Sequence, residues 1–115
     1  MSARKPAIPR YSDISEAVFT AHVIELARWH GWLAAHFRPG MDRHGKWKTA
    51  VQGDGVGFPD CVLIKPGRVI FAELKAAKGK VTPEQEVWLQ AAKNAGIEAY
   101  CWRPSMIEEI EGVLK

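Results

Sequence analysis

Asp60, Glu73 and Lys75 are the residues whose types and spacing could do chemistry. Arg68 to Lys75 is a β-rich run, and side chains alternate along a strand. Val69, Phe71, Glu73 and Lys75 therefore share one face, and Ile70, Ala72 and Leu74 share the other. Asp60 opens a second β-rich run, Asp60 to Ile64, and Lys65-Pro66-Gly67-Arg68 between the two is a turn signal. A two-residue loop at Pro66-Gly67 pairs Lys65 with Arg68 and, counting outward, Asp60 with Glu73. The carboxylates then stand ~5 Å apart at Cβ on the same face. A bulge at the turn would shift the pairing by one residue and move them to opposite faces.

Like charges directly opposed on a sheet repel, and apolar neighbours add a desolvation cost. Lys75 offsets part of this. A divalent cation that prefers hard oxygen ligands, Mg²⁺ or Mn²⁺, offsets more, because such ions take one or two carboxylates together with retained waters and substrate phosphate. The plainer alternative is a solvated Asp-Lys-Glu salt bridge on an edge hairpin, worth ~1 kcal/mol or less. Gly55, Gly57 and Pro59 just before Asp60 suggest a backbone shaped for close approach.

These side chains need a scaffold, and the pattern supplies one. Residues 1–12 read as a flexible basic arm, since Pro6 and Pro9 break any helix and periodic apolar positions begin only at Ile14. Residues 13–115 read as one domain. A helix is predicted from Asp13, as N-cap, to about His30, ended by Gly31. It carries two apolar stripes: Ile14, Ala17, Val18, Ala21 and Ile24, and Phe19, Val23, Leu26 and Ala27. One stripe serves a core, and the second suggests burial by another subunit. Trp32 to Phe37 reads as a strand. Residues 38–56 read as a long, glycine-rich loop, a length usually kept for function.

After the hairpin, Thr82-Pro83-Glu84-Gln85 opens a second helix, with Thr82 as N-cap and Trp88, Ala91, Ala92 and Ala95 expected to face a core. Gly96 ends it. Ile97 to Trp102 is a strand and Pro104 to Leu114 a helix. The order α-β-β-β-α-β-α describes an α/β fold, a small mixed sheet flanked by helices.

Composition narrows the function classes. The 115 residues are 47% hydrophobic and 25% charged, which suits a single soluble domain with a packed core. No apolar run approaches the ~20 residues that span a bilayer, and no secretory signal opens the chain, so an intracellular protein is expected. Cys61 and Cys101 read as buried thiols, and without a CxxC pair no zinc ribbon is expected. A net charge of +3 favours an anionic partner without identifying one.

Gly57-Phe58-Pro59-Asp60 followed by Glu73-Leu74-Lys75 resembles the motif of the PD-(D/E)XK nucleases. Glu16 in the first helix, and Gln85 with Trp88 in the second, resemble the further signature of the VRR-NUC branch, the virus-type replication-repair nucleases. The resemblance runs from Glu16 to about Arg103. It implies a restriction-endonuclease-like fold in which Asp60, Glu73 and the backbone carbonyl of Leu74 bind Mg²⁺ or Mn²⁺. By the same resemblance Lys75 activates the attacking water, Glu16 completes the acidic cluster, and Gln85 supports the lysine or the scissile phosphate. Glu16 and Gln85 also fit capping boxes with Asp13 and Thr82, and Trp88 reads more readily as core than as a substrate platform.

The implied activity is metal-dependent DNA endonuclease hydrolysis, selective for branched DNA such as four-way junctions or flaps, carried out by a homodimer. Arg38, Arg43, Lys46, Trp47 and Lys48 form a basic, aromatic-interleaved loop suited to phosphate contacts and base stacking, and Lys78 and Lys80 could extend its path. The second class of reading is a non-catalytic nucleic-acid-binding or assembly domain that kept the fold. His22, His30, His36 and His44 are too scattered to suggest a metal site.

Overall fold

The computed structural model describes residues 4–6, 14–37, 40–41, 47–48 and 52–115. Three helices flank a four-stranded mixed sheet, in the chain order α-β-β-β-α-β-α once a short two-stranded ladder is set aside. Helix α1 (Glu16–Trp29) leads into β1 (Leu33–His36), and the small ladder of β2 (Gly40–Met41) with β3 (Trp47–Lys48) follows. The hairpin β4 (Cys61–Lys65) and β5 (Arg68–Leu74) comes next, then α2 (Pro83–Asn94), β6 (Glu98–Trp102), a 3₁₀ turn (Pro104–Met106) and α3 (Ile107–Leu114).

In space the strands run β1-β4-β5-β6. The first two pairings are antiparallel, and β5 with β6 is parallel because α2 carries the chain back across the sheet. The turn makes the register: Lys65 pairs with Arg68 and Cys61 with Ala72, with no bulge between. Gly67 has φ +79°, which suits the third position of a type II turn.

The sheet is covered on both faces, unequally. On one side, Phe19, Val23, Leu26 and Ala27 of α1 pack with Ile110 and Leu114 of α3 against Cys61, Leu63, Ile70, Ala72, Leu74 and Trp102. On the other, α2 contributes Leu89 and Ala92 to a smaller cluster with Ala99, flanked by Phe71, Ile97 and Cys101.

Three details differ from the pattern-based expectation. Helix α1 begins at Glu16, and its N-cap is Ser15, whose hydroxyl accepts from the Val18 N–H. Glu16 is thus the first helical residue and cannot be the third-position partner of a capping box. In α2 the buried residues are Leu89 and Ala92, whereas Ala91 and Ala95 are exposed and Trp88 is half-buried. Alanine fits either environment, so its spacing alone could not orient the helix. Finally, part of the stretch expected to be loop pairs as β2 and β3. Of the second stripe expected on this helix, Ala17, Val18 and Ala21 are exposed and Ile14 and Ile24 half-buried. Among the described residues, no helix is long and apolar enough to cross a membrane.

Candidate active site

Glu73 is the only carboxylate in the buried polar set of the described residues, at 1% exposure. Its position follows from strand alternation: Ile70, Ala72 and Leu74 point into the α1/α3 core, so Phe71 and Glu73 face α2. Continuing the hairpin one step beyond Cys61 and Ala72 brings Asp60 opposite Glu73, and the two carboxylates touch. Asp60 is fixed from the backbone side as well, since the Leu74 N–H donates to its Oδ2 at 3.1 Å.

The loop that presents Asp60 is pressed onto α2. Gly57 has φ +89°, and a Cβ there would lie 2.5 Å from the Glu84 backbone carbon, so only glycine fits. The close approach expected from the glycines is thus made to the helix. The Trp88 indole N–H donates to the Asp54 carbonyl at 2.8 Å, and its ring meets Phe58 edge-on at 5.0 Å. Trp88 is therefore half core and half clasp.

From α2, Gln85 does two things at once. Its side-chain Oε1 accepts from the Thr82 backbone N–H at 2.9 Å, and its backbone N–H donates to the Thr82 hydroxyl at 3.2 Å, completing a capping box. With the oxygen so engaged, the amide nitrogen donates to Glu73 Oε2 at 3.1 Å. The capping and site-directed readings of Gln85 are compatible because an amide has two ends. Lys75, one residue past β5, anchors its backbone N–H on the Trp102 carbonyl at 3.0 Å. It places Nζ 3.7 Å from Glu73 Oε2.

Glu73 Oε1 is buried, and among the described residues no N–H or O–H donates to it. Burial, then contact with Asp60 and the Asp60 charge, push the Glu73 carboxyl up to about 8, against the pull of Lys75; Glu16 adds a smaller push upward. A carboxylate pair that resists double ionisation, with one buried oxygen lacking such a donor, is chemically suited to a hard divalent cation, which would satisfy that oxygen and neutralise the repulsion. Among the described residues, however, no group of three His, Cys, Asp or Glu side chains converges. The protein offers two carboxylates, which leaves the remaining positions of such an ion to water, a main-chain oxygen or a phosphate.

A family model for the VRR-NUC domain matches residues 33–105, more than half of the chain. The chain belongs to the VRR-NUC family. Asp60, Glu73, Leu74, Lys75, Gln85 and Trp88 all lie inside the matched segment, and Glu16 lies before it. No curated protein and no solved structure matches the chain. Membership implies a PD-(D/E)XK-type nuclease with a divalent metal and DNA as substrate.

The other sequence-selected residues of this VRR-NUC domain are less concentrated. Glu16 is exposed at the start of α1, near enough for its charge to act on Glu73 but outside the touching pair. Lys78 and Lys80 are exposed beyond β5. Arg38, Arg43 and Lys46 lie outside the described residues, and for Trp47 and Lys48 only the β3 backbone is described.

Sequence reasoning found the Thr82–Gln85 capping box but set it against the site role of Gln85, where the structure shows both. It missed the Leu74 N–H as the clamp on Asp60, and Phe37 and Phe58 beside the site.

Proposed function

We propose that this VRR-NUC protein is a metal-dependent DNA endonuclease that hydrolyses phosphodiester bonds and prefers branched DNA, four-way junctions or flaps, over plain duplex. The carrying observation is the buried Glu73 carboxylate held against Asp60, its Oε1 without a donor among the described residues, flanked by the Lys75 ammonium and the Gln85 amide. Uncompensated, that arrangement destabilises the fold, so its presence argues for chemistry over mere scaffolding.

Asp60, Glu73 and the Leu74 carbonyl would hold Mg²⁺ or Mn²⁺. When bound, such an ion polarises a phosphoryl oxygen and lowers the pKa of a coordinated water. The protein's own groups do the rest. Lys75 supplies a positive charge beside the carboxylates, where it can orient and activate the attacking water, and Glu73 Oε2 keeps its Nζ in place. Gln85, held by Thr82, fixes the Glu73 rotamer. Glu16 contributes negative charge from α1 and is assigned to the acidic cluster by resemblance. Arg38, Arg43, Lys46, Lys48 and Trp47, with Lys78 and Lys80, are proposed to contact the DNA.

The exposed Ala17, Val18 and Ala21 stripe of α1 supports a homodimer. Incubating the protein with end-labelled duplex, flap and four-way-junction DNA in Mg²⁺, Mn²⁺ or EDTA tests the reading, with solution mass measured alongside. Cleavage of the branched substrates with either ion and none in EDTA is expected. Equal cleavage in EDTA would remove the metal from the proposal, and binding without cleavage under any condition would favour a non-catalytic DNA-binding domain.

A further inference from the structure

Phe37 follows β1 directly and is 53% exposed. Its backbone N–H donates to the Asp60 carbonyl at 2.7 Å, which continues the β1–β4 ladder one step beyond His36 and Cys61. Directly paired residues of antiparallel strands project to the same face, so Phe37, Asp60 and Glu73 form one row across three strands. With strands ~4.8 Å apart, the ring stands on the order of 5–10 Å from the carboxylates, one or two nucleotide steps along a strand.

The ring is also braced by a second aromatic side chain. Phe58 meets it at 5.9 Å and 74°, an edge-to-face contact, and more than half of the Phe37 surface stays open to solvent. Phe58 is itself held by Phe71 at 5.5 Å and by Trp88 at 5.0 Å. A chain of aromatic rings thus runs from the α2 core to solvent and ends at the rim of the acidic site. The part of the ring left in solvent adds nothing to that packing. It has no polar group with which to read a base edge, but it offers a π-face to any base whose own face is free.

We propose that Phe37 is a stacking platform for an unpaired base beside the scissile phosphate, which makes DNA with unstacked bases the preferred substrate class. Bases inside a continuous duplex have both faces covered and gain nothing from the ring. This rests on the nuclease reading of the Asp60–Glu73 site.

The test uses the full chain and DNA carrying 2-aminopurine at an unpaired position next to the cleavage point, in a single-stranded flap and in a four-way junction, with the same base in plain duplex as control. Fluorescence is read with Ca²⁺ in place of Mg²⁺, and cleavage kinetics with Mg²⁺. The wild type is expected to quench the unpaired probe. Phe37→Ala should lose the quench and raise KM on flap or junction about 5- to 50-fold, with kcat and duplex cleavage within about twofold. Phe37→Trp should restore both readouts, and Phe37→Leu, apolar but without a flat face, should not. Quenching that survives Phe37→Ala, or a KM that rises equally on duplex, would overturn the proposal. Quenching by a wild type that cuts no DNA would instead overturn the nuclease reading and leave the stacking platform standing.

Discussion

The two faces of the sheet differ in what they bury. Against α1 and α3, Leu63, Ile70, Ala72, Leu74 and Trp102 are all at 0% exposure and form one continuous apolar layer. Toward α2, the buried apolar cluster shrinks to Leu89, Ala92 and Ala99, and the neighbouring buried side chain on β5 is Glu73. The same strand serves both: Ile70, Ala72 and Leu74 stabilise the domain while Phe71 and Glu73, one residue out of phase, build the site. The difference teaches that one face supplies a surplus of stability and the other consumes part of it to hold a carboxylate where water cannot solvate it.

The largest effect that separates the faces is on turnover. Asp60→Ala, Glu73→Ala and Lys75→Ala should each lower cleavage by on the order of 10²–10³-fold or more while the fold is retained. Near-normal turnover in Lys75→Ala, measured on the best DNA substrate, would remove the lysine from the mechanism. The opposite behaviour is expected across the sheet: Leu63→Ala should cost about 2–5 kcal/mol in chemical denaturation, with activity lost only as the folded fraction falls. A Leu63→Ala protein as stable as the parent would mean that the α1/α3 layer is not where stability resides.

The pH response sharpens the same contrast. The folded-state pKa of Glu73 is raised from the usual 4.5 to about 8, so within that range the folded protein holds more protons than the unfolded chain. Stability of the metal-free protein therefore falls as pH rises through that window. Glu73→Gln, which cannot ionise, should flatten the dependence and raise Tm at pH 8 by about 5 °C while abolishing cleavage. A steeper fall in the variant would place the strain elsewhere. Smallest is the cap. Thr82→Ala removes the hydroxyl that accepts from Gln85 and should cost about 0.5–1 kcal/mol. The Thr82 backbone N–H that holds Gln85 Oε1 is kept in this variant, so kcat is expected to fall no further than the folded fraction, and a disproportionate drop in kcat would show that the hydroxyl also positions the site.

Much of this was legible before any coordinates. The alternation of Val69 to Lys75, the Pro66-Gly67 turn, the Thr82-Pro83 helix start and the glycine stops at Gly31 and Gly96 are local signals, and the elements follow them. The helix faces were less legible where alanine dominates, as in α2, because a methyl group is nearly indifferent to burial. Glu16 and Asp13 illustrate another gap: Ser15 and Asp13 are both good N-caps, and sequence cannot choose between neighbouring candidates.

By itself the sequence determined the residue types, the strand phase that sets Glu73 and Lys75 on one face, and a hairpin whose shortest loop brings Asp60 into line. Only the tertiary structure decided that Glu73 is buried against Asp60, that Gln85 turns its amide toward it, and that Phe37 joins the row from β1. Phase and turn geometry are properties of a few consecutive residues, whereas desolvation and convergence depend on which distant segments pack together, and no local pattern encodes that.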